Sequence, residues 1–147
     1  MCVGAVDGRG VVVVEVRDEV ELAEAERVIV AGFPRPGELL PAGVLGVPGW
    51  RTWLAYRGGV AAAAGYTFDD GVAAGLYLLA TLPEHRGQGA AAALVGATLR
   101  AHPERAMTLT ATAVGTPLYA RLGFHTVSRA VWWVPTPGGL TAPGVAD

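Results

Sequence analysis

LLATLPEHRGQGAAAALV, residues 78–95, decides how the rest of the chain is read. An apolar run with strand character stops at Pro83, and two glycines, Gly87 and Gly89, then stand directly before a run of alanines. GQGAAAALVGATLRA (87–101) predicts a helix, with Ala91, Leu94, Val95 and Leu99 on one face and Pro103 barring continuation. The first N–H groups of a helix have no intrahelical partner, and the helix dipole favours an anion there. Glycines remove the Cβ that would keep an anion off the backbone. Arg86 adds a positive charge. From the residues alone, the stretch is either a phosphate cradle or a plain glycine-bearing turn into a helix.

Upstream, VVVVEV (11–16) reads as a strand, and Asp18 caps an amphipathic helix with apolar residues at 20, 22, 23, 25, 28 and 29 and Gly32 near its end. The Pro- and Gly-rich segment 34–49 predicts a long loop with a helical turn at Glu38–Leu40. Strands follow at 51–58, 60–68 and 72–82, the first ending in a Gly58-Gly59 turn, with Asp70-Gly71 as a hairpin signal. Their alanine content suggests that something approaches the sheet closely. Downstream come a strand at 106–112, a short helix at 117–122 capped by Thr116 and stopped by Gly123, and a final strand at 126–134. The three-strand meander is antiparallel, and the helix from 87 allows a crossover to a parallel neighbour at 106–112.

The 147 residues suit one domain, expected over 1–134, with a loose tail at 135–147. The longest apolar runs fall short of the roughly 20 residues of a membrane helix. The N-terminus lacks the basic-then-apolar order of a signal peptide. The expectation is therefore a soluble cytoplasmic protein with no membrane partner. A net charge of −2 argues against a nucleic-acid partner. All eleven basic residues are arginine, and lysine and asparagine are absent, a bias that fits a GC-rich genome. Cys2 is the only cysteine, so no internal disulfide forms.

The P-loop is excluded, because no Lys-Ser or Lys-Thr follows the glycines. Gly87 to Ala92 fits the letters of a dinucleotide fingerprint. Four residues separate its first glycine from the strand, however, and the next strand ends without an acid for a ribose.

The stretch resembles motif A of the GNAT superfamily, the acyl-CoA-dependent N-acetyltransferases, in Arg86-Gly87-Gln88-Gly89-Ala90-Ala91. PLYARLGF (117–124) resembles the family's late Leu-Tyr-x-x-Leu-Gly-Phe signature, at the expected distance and with the strand 106–112 between the two. The resemblance implies an α/β (α+β) fold: a mixed, mostly antiparallel sheet with helices on both faces and a splay between the fourth and fifth strands, here 72–82 and 106–112. It implies acetyl-CoA as cosubstrate. Backbone groups of Leu79, Ala80 and Thr81 would pair with pantetheine, and Arg86 with Gly87, Gln88, Gly89, Ala90, Ala91 and Ala92 would take the pyrophosphate. An N–H near Ala80 would stabilise the oxyanion. Tyr119 would assist the leaving thiolate, as its ordinary pKa of roughly 10 exceeds a thiol's roughly 8.5. No metal is implied.

The expected activity is acetyl transfer to a primary amine of a small molecule or peptide, by direct attack. The alternative is a non-catalytic acyl-CoA-binding or regulatory module. Where some relatives carry Glu the chain has Met107 to Thr110, and where Asn is frequent it has Thr112, so the general base is open. Glu38 is a weak candidate. Asp69 and Asp70 read as turn residues, Glu84 as a partner for the helix's positive end, and His85 as packing or solvent-facing. His102 and His125 read as surface. Trp50, Trp53, Trp132 and Trp133 are available to line the acceptor side. As neighbours on a strand, Trp132 and Trp133 face opposite ways, leaving one for contact with a second copy in a homodimer.

Overall fold

The computed structural model describes residues 5–6, 10–33, 42–133, 135–136 and 139–140. The chain divides into two compact units, 1–109 and 110–147.

The first unit contains a six-stranded sheet in sequential order: β1 (Ala5–Val6), β2 (Val11–Glu15), β3 (Trp50–Arg57), β4 (Val60–Asp69), β5 (Ala73–Thr81) and β6 (Ala106–Leu109). Neighbours are antiparallel except β5 and β6, which are parallel. The hairpins joining β3, β4 and β5 fall where Gly58-Gly59 and Asp70-Gly71 mark them. The Asp69 carboxylate accepts from Gly71 N–H, and that of Asp70 accepts from Val72 and Ala73 N–H, each at 2.8 Å. Both acids are turn residues, as expected.

Two helices cover opposite faces of the sheet. α1 (Glu19–Gly32) starts at Asp18, whose carboxylate accepts from Glu21 N–H at 2.8 Å. It buries Leu22, Ala25, Val28 and Ile29 against Leu54, Ala61 and Ala64. Val20, expected on that face, is 81% exposed. The Tyr56 hydroxyl donates to Glu24 at 2.7 Å, tying α1 to β3, and burial followed by that carboxylate pushes its pKa up to about 12. α2 (Ala90–Ala101) sets Ala90 and Leu94 against Val11, Val13, Trp53, Ala55, Ala62 and Ala63. Trp53 and Ala55 face α2 while Leu54 faces α1, the two-residue alternation of a strand. A β-bulge at Ala62 lets consecutive alanines share the α2 face. The alanines of β4 are the floor on which both helices settle, which accounts for strands so poor in bulk.

Several expectations are corrected. α2 begins at Ala90 rather than at Gly87, because both glycines have left-handed backbones (φ +71° and +91°) outside the helical range. β6 ends at Leu109 rather than 112. Residues 126–133 form no strand: a strand needs a neighbour for its N–H and C=O groups, and among the described residues nothing pairs with them. Trp132 and Trp133 are accordingly both exposed, at 71% and 70%. A 3₁₀ turn occupies Ala42–Gly46, whereas the turn expected at 38–40, with Glu38, lies outside the described residues.

The second unit holds α3 (Thr116–Arg121) and a two-residue ladder of β7 (Pro135–Thr136) with β8 (Gly139–Leu140), in a tail expected to be loose. Thr116 is the first helical residue of α3 and Gly115 its N-cap, one position earlier than expected. No helix among the described residues is long and apolar enough to cross a membrane.

Candidate active site

β5 and β6 pair over only four rungs, Ala73 with Ala106 through Leu76 with Leu109. β5 then runs on to Thr81, while β6 has ended. The departure coincides with a β-bulge: Tyr66 pairs with Tyr77, but Ala64 pairs with Ala80, so β5 carries one residue more than β4 in this span. Leu78 sits in the bulge with φ +48°, the only non-glycine residue with positive φ among the described residues. Gly65 lies opposite, where a Cβ would come within 3.2 Å of Leu79 Cα. The edge of β5 beyond Leu76 is thus left without a strand beside it among the described residues.

Farther along, Leu82 N–H bonds the Ala62 carbonyl at 2.9 Å. By the alternation of an antiparallel ladder, the groups of Ala80 then face β4 and those of Thr81 face the open side. The Thr81 carbonyl accepts from Arg86 Nε at 3.3 Å, which fits that direction. Arg86 also reaches the Gly32 carbonyl at the end of α1, at 3.5 Å.

Gly89 is the N-cap of α2, and no side chain caps the helix. Its carbonyl accepts from Ala93 N–H at 2.9 Å, so the N–H groups of Ala90, Ala91 and Ala92 precede the first intrahelical bond. A Cβ on Gly87 would meet nothing within 4 Å, so the loop is open on that side and the residue is set by φ alone. Gln88 braces the loop: its amide Nε2 donates to the Glu84 carbonyl at 3.0 Å, and its Oε1 accepts from Arg57 Nη1. Arg57 is the last residue of β3, so a second arginine stands at the glycine loop.

The opposite end of α2 is clamped. Arg51 donates to the Ala101 carbonyl at 3.2 Å and to Glu15 at 2.7 Å, placing its charge at the helix's negative end. His102, the C-cap, is buried. Trp53 Nε1 donates to Thr67 Oγ1 at 3.1 Å, and that oxygen lies 3.1 Å from His102 Nε2. The Thr67 hydroxyl thus joins the indole, which can only donate, to the imidazole. Asp69 lies 3.8 Å from His102 Nδ1. The N–H of Gly71 and then the guanidinium of Arg105 hold the Asp69 carboxyl below its usual range. His102 is therefore a core residue, not the surface residue expected, and Trp53 is buried packing rather than a lining residue.

In the second unit, Thr112 organises the turn into α3. Its carbonyl accepts from the N–H groups of Gly115 and Thr116 at 3.0 Å, and its Oγ1 from Gly115 N–H at 3.2 Å. The Tyr119 ring meets Phe124 edge-on at 5.8 Å, and a Cβ on Gly115 would stand 3.3 Å from it. Gly123 ends the helix with φ +89°, and Phe124 N–H returns to the Tyr119 carbonyl at 3.0 Å. The Leu-Tyr-x-x-Leu-Gly-Phe stretch is thus one knot around Tyr119, whose burial raises its pKa.

Leu79, Ala80 and Thr81 stand on the strand that leads into the glycine loop, and Arg86 through Ala92 form that loop and the first turn of α2. Arg57 and the bulge at Leu78 were not legible. Nothing in the linear sequence marks an arginine before a Gly-Gly turn as a neighbour of Gln88, and leucine is an ordinary strand residue.

The family described as Acetyltransferase (GNAT) domain matches residues 48–126, more than half of the chain. Among solved structures, the aminoglycoside acetyltransferase AAC(6')-Iy, in complex with the bisubstrate analogue CoA-S-monomethyl-acetylneamine, aligns with a TM-score of 0.71 at 17% identity, over 86% of this chain and 99% of that one. The aminoglycoside acetyltransferase meta-AAC0020 from an uncultured soil metagenomic sample gives 0.70 at 16% identity, over 86% and 96%. A GCN5-related N-acetyltransferase from Ralstonia eutropha JMP134 gives 0.64 at 20% identity, over 82% and 96%. No curated protein matches the chain.

Proposed function

The chain belongs to the GNAT acetyltransferase family, acyltransferases with acetyl-CoA as cosubstrate, and from that premise we propose that it transfers an acetyl group to a primary amine by direct attack. The observation that carries this reading is the conjunction, in one unit, of a strand edge freed beyond Leu76 and an uncapped helix N-terminus behind a glycine loop. The cosubstrate needs both: an extended edge for an amide-bearing arm and bare N–H groups for a diphosphate.

In this reading Gly87 to Ala92 hold the pyrophosphate with their backbone N–H groups, and Arg86 and Arg57 supply positive charge around them. Leu79, Ala80 and Thr81 form the stretch along which pantetheine lies, with Thr81 offering the outward-facing groups. An N–H of the bulged segment beside Ala80 stabilises charge on the carbonyl oxygen. Bound acetyl-CoA supplies the acetyl thioester.

Tyr119 is assigned to the departing sulfur through its place in the Leu-Tyr-x-x-Leu-Gly-Phe stretch. Its raised pKa keeps it protonated at neutral pH, and the gap from a thiol's pKa favours a hydrogen bond to the thiolate over complete transfer. The similar structures include aminoglycoside acetyltransferases, yet their likeness to this chain is one of fold, and the acceptor here is taken as a primary amine.

The test is release of free thiol from acetyl-CoA by the full chain across a panel of primary amines. Amine-dependent release supports the reading. Saturable CoA binding with no release on any amine would replace it with the non-catalytic module.

A further inference from the structure

Three aromatic rings stack across adjacent strands on the α1 face. Trp50 of β3 lies on Tyr66 of β4, with centroids 3.9 Å apart and planes 20° apart. Tyr66 lies on Tyr77 of β5, at 5.3 Å and 22°. The far end is fixed: Trp50 Nε1 donates to Thr52 Oγ1 at 2.9 Å, and the ring packs against the cluster containing Val44 and Leu54. The near end is open in part, as Tyr77 is 45% exposed.

Two features hold the Tyr77 ring in line. A Cβ on Gly75 would come within 2.2 Å of the Tyr77 hydroxyl, so the ring lies back over a residue that has no side chain. Tyr77 is also the first residue after the last rung shared with β6, at the start of the bulge. The row advances one strand per ring, from β3 to β5, and its next place falls at the opening of the fork. Six strand positions around the row on this face, Trp50, Thr52, Tyr66, Phe68, Tyr77 and Thr108, are uncharged.

We propose that this row is the acceptor shelf, and that the acceptor is a primary arylalkylamine whose ring takes the fourth place on Tyr77 with its amine directed to the fork. The proposal rests on the acetyltransferase reading. An aromatic ring stacks on a fixed aromatic face, and an ammonium is drawn to the electron-rich faces of tyrosine and tryptophan. A polycationic sugar would find ring faces here, without carboxylates from these six positions to match its charges.

The experiment titrates the CoA-loaded full chain by calorimetry with phenethylamine and with cyclohexylethylamine, which has the same charge and chain but no aromatic ring. The wild type, Tyr77→Phe and Tyr77→Leu are compared; leucine keeps bulk over Gly75 and removes the ring. Phenethylamine is expected to bind roughly three- to tenfold tighter in the wild type and in Tyr77→Phe, with the preference lost in Tyr77→Leu. Equal affinity for the two amines, binding of neither, or a preference that survives Tyr77→Leu would overturn the shelf. Thiol release from acetyl-CoA in parallel samples separates the two readings. Ring-selective binding without release would sink the acetyltransferase and leave the shelf, whereas release without ring selectivity would do the reverse. If CoA does not bind, the same titration of the free chain still decides the shelf.

Discussion

Leu76 of β5 and Leu109 of β6 form the last rung that the two strands share. One residue farther on, β5 enters a bulge whose Leu78 has φ +48°. An extra residue in one strand bends that strand and increases its local twist. The bulge thus begins where the ladder shared by β5 and β6 ends.

Gly89→Glu should reduce CoA affinity by at least roughly a hundredfold, about 2.8 kcal/mol at 1.4 kcal/mol per decade. The substitution places a side chain at φ +91° and a negative charge at the helix end proposed to receive the pyrophosphate. Titration calorimetry on a variant with wild-type circular dichroism is the check. An unchanged dissociation constant would show that the anion lies elsewhere.

Arg57→Ala should weaken CoA binding by roughly three- to tenfold, because it removes both a cation and the partner of Gln88 Oε1. Comparing CoA with dephospho-CoA localises the effect. Loss of similar size with both ligands is expected if Arg57 serves the pyrophosphate loop. A loss confined to CoA would assign it to the 3′-phosphate, and no loss with either would remove it from the site.

Tyr119→Phe should lower kcat by roughly a hundredfold and leave CoA affinity within about twofold. Phenylalanine keeps the edge contact with Phe124 and the packing over Gly115, so the variant removes the hydroxyl alone. Unchanged turnover would reduce Tyr119 to a packing residue.

His102 gives stability a pH dependence. Burial, then the Arg51 charge, hold its pKa below the ordinary value of about 6.5. As pH falls the unfolded chain therefore takes up the proton first. Stability should be full above about pH 6.5 and decline below it, until the folded imidazole also protonates. Thermal unfolding between pH 7.5 and 5.5 should show this slope in the wild type and a shallower one in His102→Gln. Equal slopes would mean that the buried imidazole is not the group responsible.

Much of this was legible because the sequence marks it locally. Asp18 announces α1, Gly58-Gly59 and Asp70-Gly71 announce the hairpins, and Gly87-Gln88-Gly89 followed by alanines announces an open helix start. What escaped depends on residues far apart in the chain. Nothing within 102–105 shows that His102 meets Thr67, thirty-five positions away, so a residue beside Pro103 read as surface. The row of Trp50, Tyr66 and Tyr77 exists only once three strands are in register. The segment 126–133 errs in the other direction: alternating β-branched and aromatic residues carry strand propensity, but pairing is a property of the neighbour, and none is present among the described residues.

The most direct measurement is a crystal structure of the chain with CoA bound. The account predicts pyrophosphate oxygens within hydrogen-bond distance of backbone N–H groups between Gly87 and Ala92, and the pantetheine arm extended beside Leu79 to Thr81 in the gap beyond Leu76 and Leu109. CoA seated away from the glycine loop, or β6 paired with β5 through Thr81 so that no gap remains, would contradict it.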